Sequence, residues 1–104
     1  MQEFKNVTIV KKVNSYFEGK ATSRTVLFPD GSKKTLGVML PGAYEFRTAE
    51  KEIIEIFSGN SEVQLPGSVE CQTVKGGSSF EVSAQSEFRL KVSELTDYCC
   101  SFIS

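Results

Sequence analysis

Apolar positions along this chain fall in short runs, and most runs alternate with polar residues or end on turn formers. Val7-Thr-Ile-Val10 is a β-branched run. Thr25-Val-Leu-Phe28 stops at Pro29-Asp-Gly31, a strong turn signal. Thr35-Leu-Gly-Val-Met-Leu40 closes on Pro41-Gly42. Ala43 to Thr48 alternates with period two, which puts Tyr44, Phe46 and Thr48 on one face. Ile53 to Phe57 leads into a hairpin turn at Ser58-Gly-Asn60. Val63-Gln-Leu65 stops at Pro66-Gly67, Val69 to Val74 resumes, and Gly76-Gly77 breaks that run. Phe80-Glu-Val82, Glu87 to Val92 and Tyr98 to Ile103 complete the series. Only Thr48 to Glu52 has a helical look, with a capping-like threonine, and it is too short to count as an element.

The pattern predicts roughly nine or ten short strands with turns roughly every 8–12 residues, an all-β sandwich, jelly roll or barrel. With 104 residues and no linker, repeat or low-complexity stretch, the expectation is one domain over 1–104. Residues 1–12 read either as an edge strand or as an extension.

Composition changes this picture mostly by exclusion. There is no histidine, so no imidazole metal cage can form, and Ser-His or Cys-His nucleophile pairs are ruled out. Neither a metal nor another cofactor is expected. A net charge of −1, with acids and bases interspersed, speaks against nucleic acid as a partner. No apolar run reaches the roughly 18–20 residues of a bilayer span, so no membrane partner is expected. The opening hexapeptide carries no signal-peptide core, and three cysteines do not make a disulfide framework. A cytoplasmic protein is the expectation. Cys71 is placed in a strand, and Cys99 and Cys100 alternate across the faces of the last one, all three as buried thiols.

Two stretches, Gly42 to Gly59 and Gly77 to Leu90, resemble the paired motifs of the cupin superfamily. Glu52 and Gly59 match the end of the first motif, and Gly77 opens the second. The motif histidines are replaced by Phe46, Thr48 and Phe88, so the glycine frame is kept without the usual ligands. A closer likeness runs over about residues 13–103. Tyr16-Phe-Glu-Gly-Lys20, Gly37-Val-Met39, Gly42-Ala-Tyr-Glu-Phe-Arg-Thr-Ala-Glu50, Ser58-Gly59 and Ser86-Glu-Phe-Arg-Leu90 resemble the small single-domain cupins of the pyrimidine/purine nucleoside phosphorylase family. Ser83-Ala-Gln85 departs from that pattern, standing where a Pro-Gly pair is typical. The resemblance implies a single-domain cupin-type β-barrel, an RmlC-like jelly roll. It also implies an enzyme, a pentosyltransferase. The reaction would be phosphate-dependent cleavage of the N-glycosidic bond of purine and pyrimidine nucleosides, giving free base and pentose 1-phosphate.

Such a reaction builds positive charge on the sugar and can run on positioning and electrostatics alone. Within that frame Glu52 and Tyr44 are the candidate catalytic residues. Phe46 and Phe88 offer a stacking surface for any base, and Thr48 and Ser86 offer hydroxyls for substrate. Strand alternation points Arg89 away from Phe88, while Lys20 and Arg47 read as solvated cations and Ser23 as another hydroxyl donor. Gly76-Gly-Ser-Ser79 reads as a β-turn, because no helix follows it to bind phosphate.

The expected partners are a nucleoside and inorganic phosphate. A short chain with open strand edges also favours a homodimer. Two other readings stay open: a non-catalytic cupin that binds a small nucleoside or sugar, and a dimerisation module with a filled barrel.

Overall fold

A computed structural model describes residues 3–103. It has eleven strands among those residues. These are β1 (Thr8–Ile9), β2 (Asn14–Tyr16), β3 (Ala21–Leu27), β4 (Lys33–Met39), β5 (Gly42–Arg47), β6 (Lys51–Ser58), β7 (Asn60–Gln64), β8 (Gln72–Lys75), β9 (Ser79–Val82), β10 (Glu87–Val92) and β11 (Thr96–Ile103). The single helical piece among the described residues is a 3-10 turn at Phe17–Gly19.

The strands form two sheets. One has seven strands in the order β1-β3-β4-β11-β6-β9, with β2 also on β3. The other runs β5-β10-β7-β8, and neighbours pair antiparallel throughout. β1 lies against Val26 and Leu27, and β2 against Ala21 to Ser23, so the two share one edge of β3 in succession. Within residues 3–12, Thr8–Ile9 therefore contributes an edge strand to the chain's own sheet.

Alternation is what sorts the two faces. In β10, Phe88, Leu90 and Val92 are buried while Glu87, Arg89 and Lys91 are exposed. The core is filled from both sheets: Met39, Ile54, Ile56, Phe80 and Val82 face Tyr44, Val63, Val74, Leu90 and Val92. Two antiparallel sheets wrapped on one core make the jelly-roll barrel that the resemblance implied.

Turn chemistry follows the sequence at two points. Asp30 Oδ1 accepts from the Ser32 amide (2.9 Å) and hydroxyl (2.6 Å), fixing the β3–β4 turn. Gly59 joins β6 to β7 with φ +113°, and a Cβ there would lie 2.5 Å from Thr96 Oγ1. Only glycine suits both the angle and the space.

Two expectations need correction. The strand expected over Val69 to Val74 starts only at Gln72, and Val69 is 92% exposed. Cys71 consequently sits outside the strand and is exposed, whereas Cys99 and Cys100 are buried as expected. Asn14–Tyr16 pairs with β3 although its sequence carries no apolar run.

Candidate functional site

The barrel is not filled. Between the sheets lies a cavity of about 170 Å³. Its two walls differ in chemistry because the inward positions of the strands differ. From the seven-stranded sheet come Ser23 on β3, Thr35 on β4, Glu52 on β6, and Tyr98 and Cys100 on β11. From the four-stranded sheet come Phe46 on β5 and Phe88 and Leu90 on β10. The seven-stranded wall brings the hydroxyl, thiol and carboxyl groups together with apolar Met39, Ile54 and Phe102, whereas the inward residues of the four-stranded wall are aromatic and aliphatic only. Tyr16 and Arg47 also line the space and are exposed, which places the mouth beside them.

Small inward residues make the room. Gly37 pairs with Ser23 and with Tyr98, both cavity residues. A Cβ on Gly37 would fall 2.0 Å from the Thr22 carbonyl oxygen and 2.8 Å from Ser23 Cβ. The close approach of β3 and β4 at this point therefore requires glycine.

The aromatic wall is a connected set. Phe46 stacks on Phe88, with centroids 5.3 Å apart and planes inclined by 24°. Phe80 meets Phe88 edge-on at 6.0 Å, and Phe17 meets Phe46 edge-on at 5.4 Å. Each such pair is worth about 0.5–1.5 kcal/mol beyond its buried area.

The polar wall is electrostatically tense. Burial raises the Glu52 carboxyl above its ordinary range; a hydrogen bond from Cys100 pulls it back, and the charge of Glu50 raises it further. The Cys100 thiol donates to Glu52 Oε1 at 3.3 Å. Burial first, and then the neighbouring Glu52 charge, push that thiol far above its usual value, so it stays protonated. Burial pushes the Tyr98 hydroxyl up to about 12, so it too remains a neutral donor. Asn14 Nδ2 donates to Ser23 Oγ (3.2 Å) and Thr25 Oγ1 (3.1 Å), tying β2 to the same wall.

Of the candidates read from sequence, Glu52, Phe46 and Phe88 meet in the cavity, while Tyr44, Thr48 and Ser86 lie outside its lining. The Tyr44 hydroxyl donates to the Leu40 carbonyl at 2.5 Å. Thr48 Oγ1 donates to the Ser83 carbonyl (2.6 Å) and accepts from the Ser86 amide (3.1 Å), tying the end of β5 to the loop before β10. Ser86 Oγ donates to the Ala84 carbonyl (3.1 Å) within that loop. The loop also holds Gln85 at φ +51°, a left-handed angle that glycine adopts freely, at the place where the resemblance implied a Pro-Gly pair. Arg89 pairs with Glu45 on the outer face (3.4 Å), and Lys20 is exposed away from the lining.

Sequence reasoning passed over Tyr98, Thr35 and Cys100 as site residues. The signal existed: Tyr98, Cys100 and Phe102 alternate along β11, and all three line the cavity. Arg47 is exposed, in keeping with the solvated reading, and also borders the lining because β5 ends there. It pairs with Glu87 and is the one cation lining the cavity among the described residues. Among those residues, no group of three or more His, Cys, Asp or Glu could hold a metal ion.

Residues 11–102 match the family described as "Ppnp: Pyrimidine/purine nucleoside phosphorylase". The chain belongs to that family. A pyrimidine/purine nucleoside phosphorylase from Wolinella succinogenes is 61% identical over 103 residues, covering 99% of this chain and 98% of the relative. The crystal structure of a protein of unknown function from Acinetobacter sp. ADP1 superposes with a TM-score of 0.94 at 42% identity, covering 97% and 98% of the two chains. An RmlC-like cupin from Shewanella frigidimarina superposes at TM-score 0.72 with 13% identity, covering 98% of this chain and 93% of its own. That last likeness concerns the fold alone. No helix among the described residues is long and apolar enough to cross a membrane.

Proposed function

We propose that this protein is a pentosyltransferase that cleaves purine and pyrimidine nucleosides with inorganic phosphate. The C1′–N bond breaks, a phosphate oxygen bonds to C1′, and the proton of hydrogen phosphate ends on the departing base. The products are free base and pentose 1-phosphate. The observation that carries the reading is the two-walled cavity, with Phe46 and Phe88 on one side and Glu52 on the other.

Size favours a division of the substrate. A dry cavity of about 150 Å³ accommodates one benzene-sized ring, so about 170 Å³ suits a base rather than a whole nucleoside. The base stacks on Phe46 and Phe88, a sequence-tolerant contact worth about 1–3 kcal/mol. The pentose then extends along the polar wall toward the open mouth beside Tyr16 and Arg47, with hydroxyl donors from Tyr98, Ser23 and Thr35 on that wall. The Glu52 carboxylate faces the positive charge that develops at C1′. Phosphate meets the sugar near Arg47, whose guanidinium exchanges Glu87 for the incoming anion. Tyr44, Thr48 and Ser86 act at one remove, Tyr44 by packing beside Phe46 and the other two by holding the loop at the end of β5.

Incubation with inosine or uridine, with and without phosphate, tests the reading. Base release that requires phosphate supports it, and release without phosphate would instead make the protein a hydrolase. Tight binding with no release in either condition would leave a nucleoside-binding cupin.

We further infer a homodimer. Exposed Val38, Phe57 and Ile103 lie on the outer face of the seven-stranded sheet, whereas β10 presents Glu87, Arg89 and Lys91 outward. A sedimentation experiment that finds only monomer overturns this. A cytoplasmic site of action suits the three free cysteines.

A further inference from the structure

Cys100 is buried, inward-facing and in contact with the one carboxylate of the cavity lining, and the reaction proposed above gives it no chemical step. It sits on β11 opposite Ile54, two positions along β6 from Glu52, whose own partners are Phe102 and Val82. The thiol reaches diagonally across the ladder to Oε1 at 3.3 Å. Among the described residues, that is the one hydrogen bond the Glu52 side chain makes within the chain.

We propose that Cys100 is the positioning residue of Glu52: its S–H donates to Oε1, fixes the carboxylate against the β11 wall and favours its ionised form. The inference rests on the reading of Glu52 as the carboxylate that faces the sugar. Cys100 is no nucleophile here, because burial and the Glu52 charge both oppose its ionisation. A thiol is a weak donor without acidity in this setting, so it can hold a carboxylate without surrendering its proton. A lysine or arginine in the same place would neutralise the charge meant for the substrate.

The other groups around Glu52 bear on the same equilibrium. Tyr98 lies on β11, Glu50 precedes β6, Arg47 comes from β5 and Tyr16 from β2. Val82, its partner on β9, has no titratable group. Tyr98 stays neutral throughout the working range, leaving the Cys100 donor and the Glu50 charge as the opposed local influences on Glu52 besides burial.

The test follows the Glu52 carboxyl carbon by NMR through a pH titration, with its resonance assigned by its absence in Glu52→Gln. In Cys100→Ala the titration should move to higher pH, and in Cys100→Ser it should stay close to wild type, because the hydroxyl keeps a donor. On the acid limb of the rate profile, Cys100→Ala should lose about 3- to 10-fold in kcat/KM relative to wild type, the worth of one hydrogen bond. Cys100→Ser should rescue most of that loss. An unmoved titration in a folded Cys100→Ala protein overturns the proposal. Should that variant fail to fold, the wild type supplies the same answer through its S–H infrared bands. One band should shift as Glu52 ionises, and the shift should vanish in Glu52→Gln; a band indifferent to Glu52 overturns the proposal. These spectra need no turnover. A protein that shifts as described but releases no base keeps this inference and loses the proposed reaction, while phosphorolysis with an indifferent thiol does the reverse.

Discussion

Replacing Glu52 by glutamine removes one negative charge and almost no volume. The amide oxygen still accepts from Cys100, so the wall of β6 and β11 keeps its shape. What disappears is the attraction between the carboxylate and the charge that develops on the sugar. At about 5 Å and an effective dielectric of about 20, that attraction is about 3 kcal/mol. The expected loss in kcat is therefore about 150-fold. Steady-state release of base from inosine at saturating phosphate measures it. Stability should move the other way. Burial raises the Glu52 pKa in the folded chain, so its contribution to stability is fully present below the unfolded carboxylate pKa and is lost as pH rises through the folded value. At pH 7 the wild type therefore carries an unfavourable buried charge that Glu52→Gln lacks. The variant should melt higher than wild type at neutral pH, and the gain should fade on acidification through the carboxylate range. A folded Glu52→Gln protein with an unchanged rate would refute the catalytic role, and a lower melting point at pH 7 would refute the account of the buried charge.

Phe88→Leu forfeits the stack on Phe46 and the edge contact with Phe80, about 2 kcal/mol together. For a chain of this size that lowers Tm by about 9 °C. Its KM for nucleoside should rise about 5-fold or more if the ring carries the base, and an unchanged KM would remove Phe88 from the binding surface. Gly37→Ala should cost about 3 kcal/mol or more in a urea titration, because the new methyl meets backbone oxygen 2.0 Å away; an unaltered midpoint would contradict the pairing of β3 with β4. Treatment with EDTA should leave turnover intact, since the chain has no histidine. A loss restored by a divalent ion would show that oxygen and sulfur ligands do hold a metal.

The sequence spoke clearly where a strand divides core from water. β10 alternates without a break, and its three inward residues were legible from period two alone. It spoke poorly where a strand faces the cavity. Ala21, Thr22 and Ser23 open β3 but form no apolar run, because Ala21 enters the core as a small residue and Ser23 faces the cavity. Val69 misled in the opposite direction. Its segment is held by Ser68, whose hydroxyl donates to the Glu70 carbonyl (3.1 Å) and accepts from the Glu70 amide (3.2 Å), leaving the valine in water. The Cys100–Glu52 contact spans 48 residues and depends on the register of β11 against β6, which no local pattern encodes. Phe46 and Phe88 are another matter: the period-two reading placed them inward, and the resemblance drew attention to them.

The hollow owes its volume to short side chains on β3 and β4, not to a gap in the backbone ladder. Ser23 could gain a methyl group as threonine, and Thr35 could lose one as serine, without altering a residue's capacity for the backbone pairing of β3 with β4. Guest size can thus drift by single-atom steps in evolution or in the laboratory. A scaffold built this way can change its preferred ring without having to relearn how to fold.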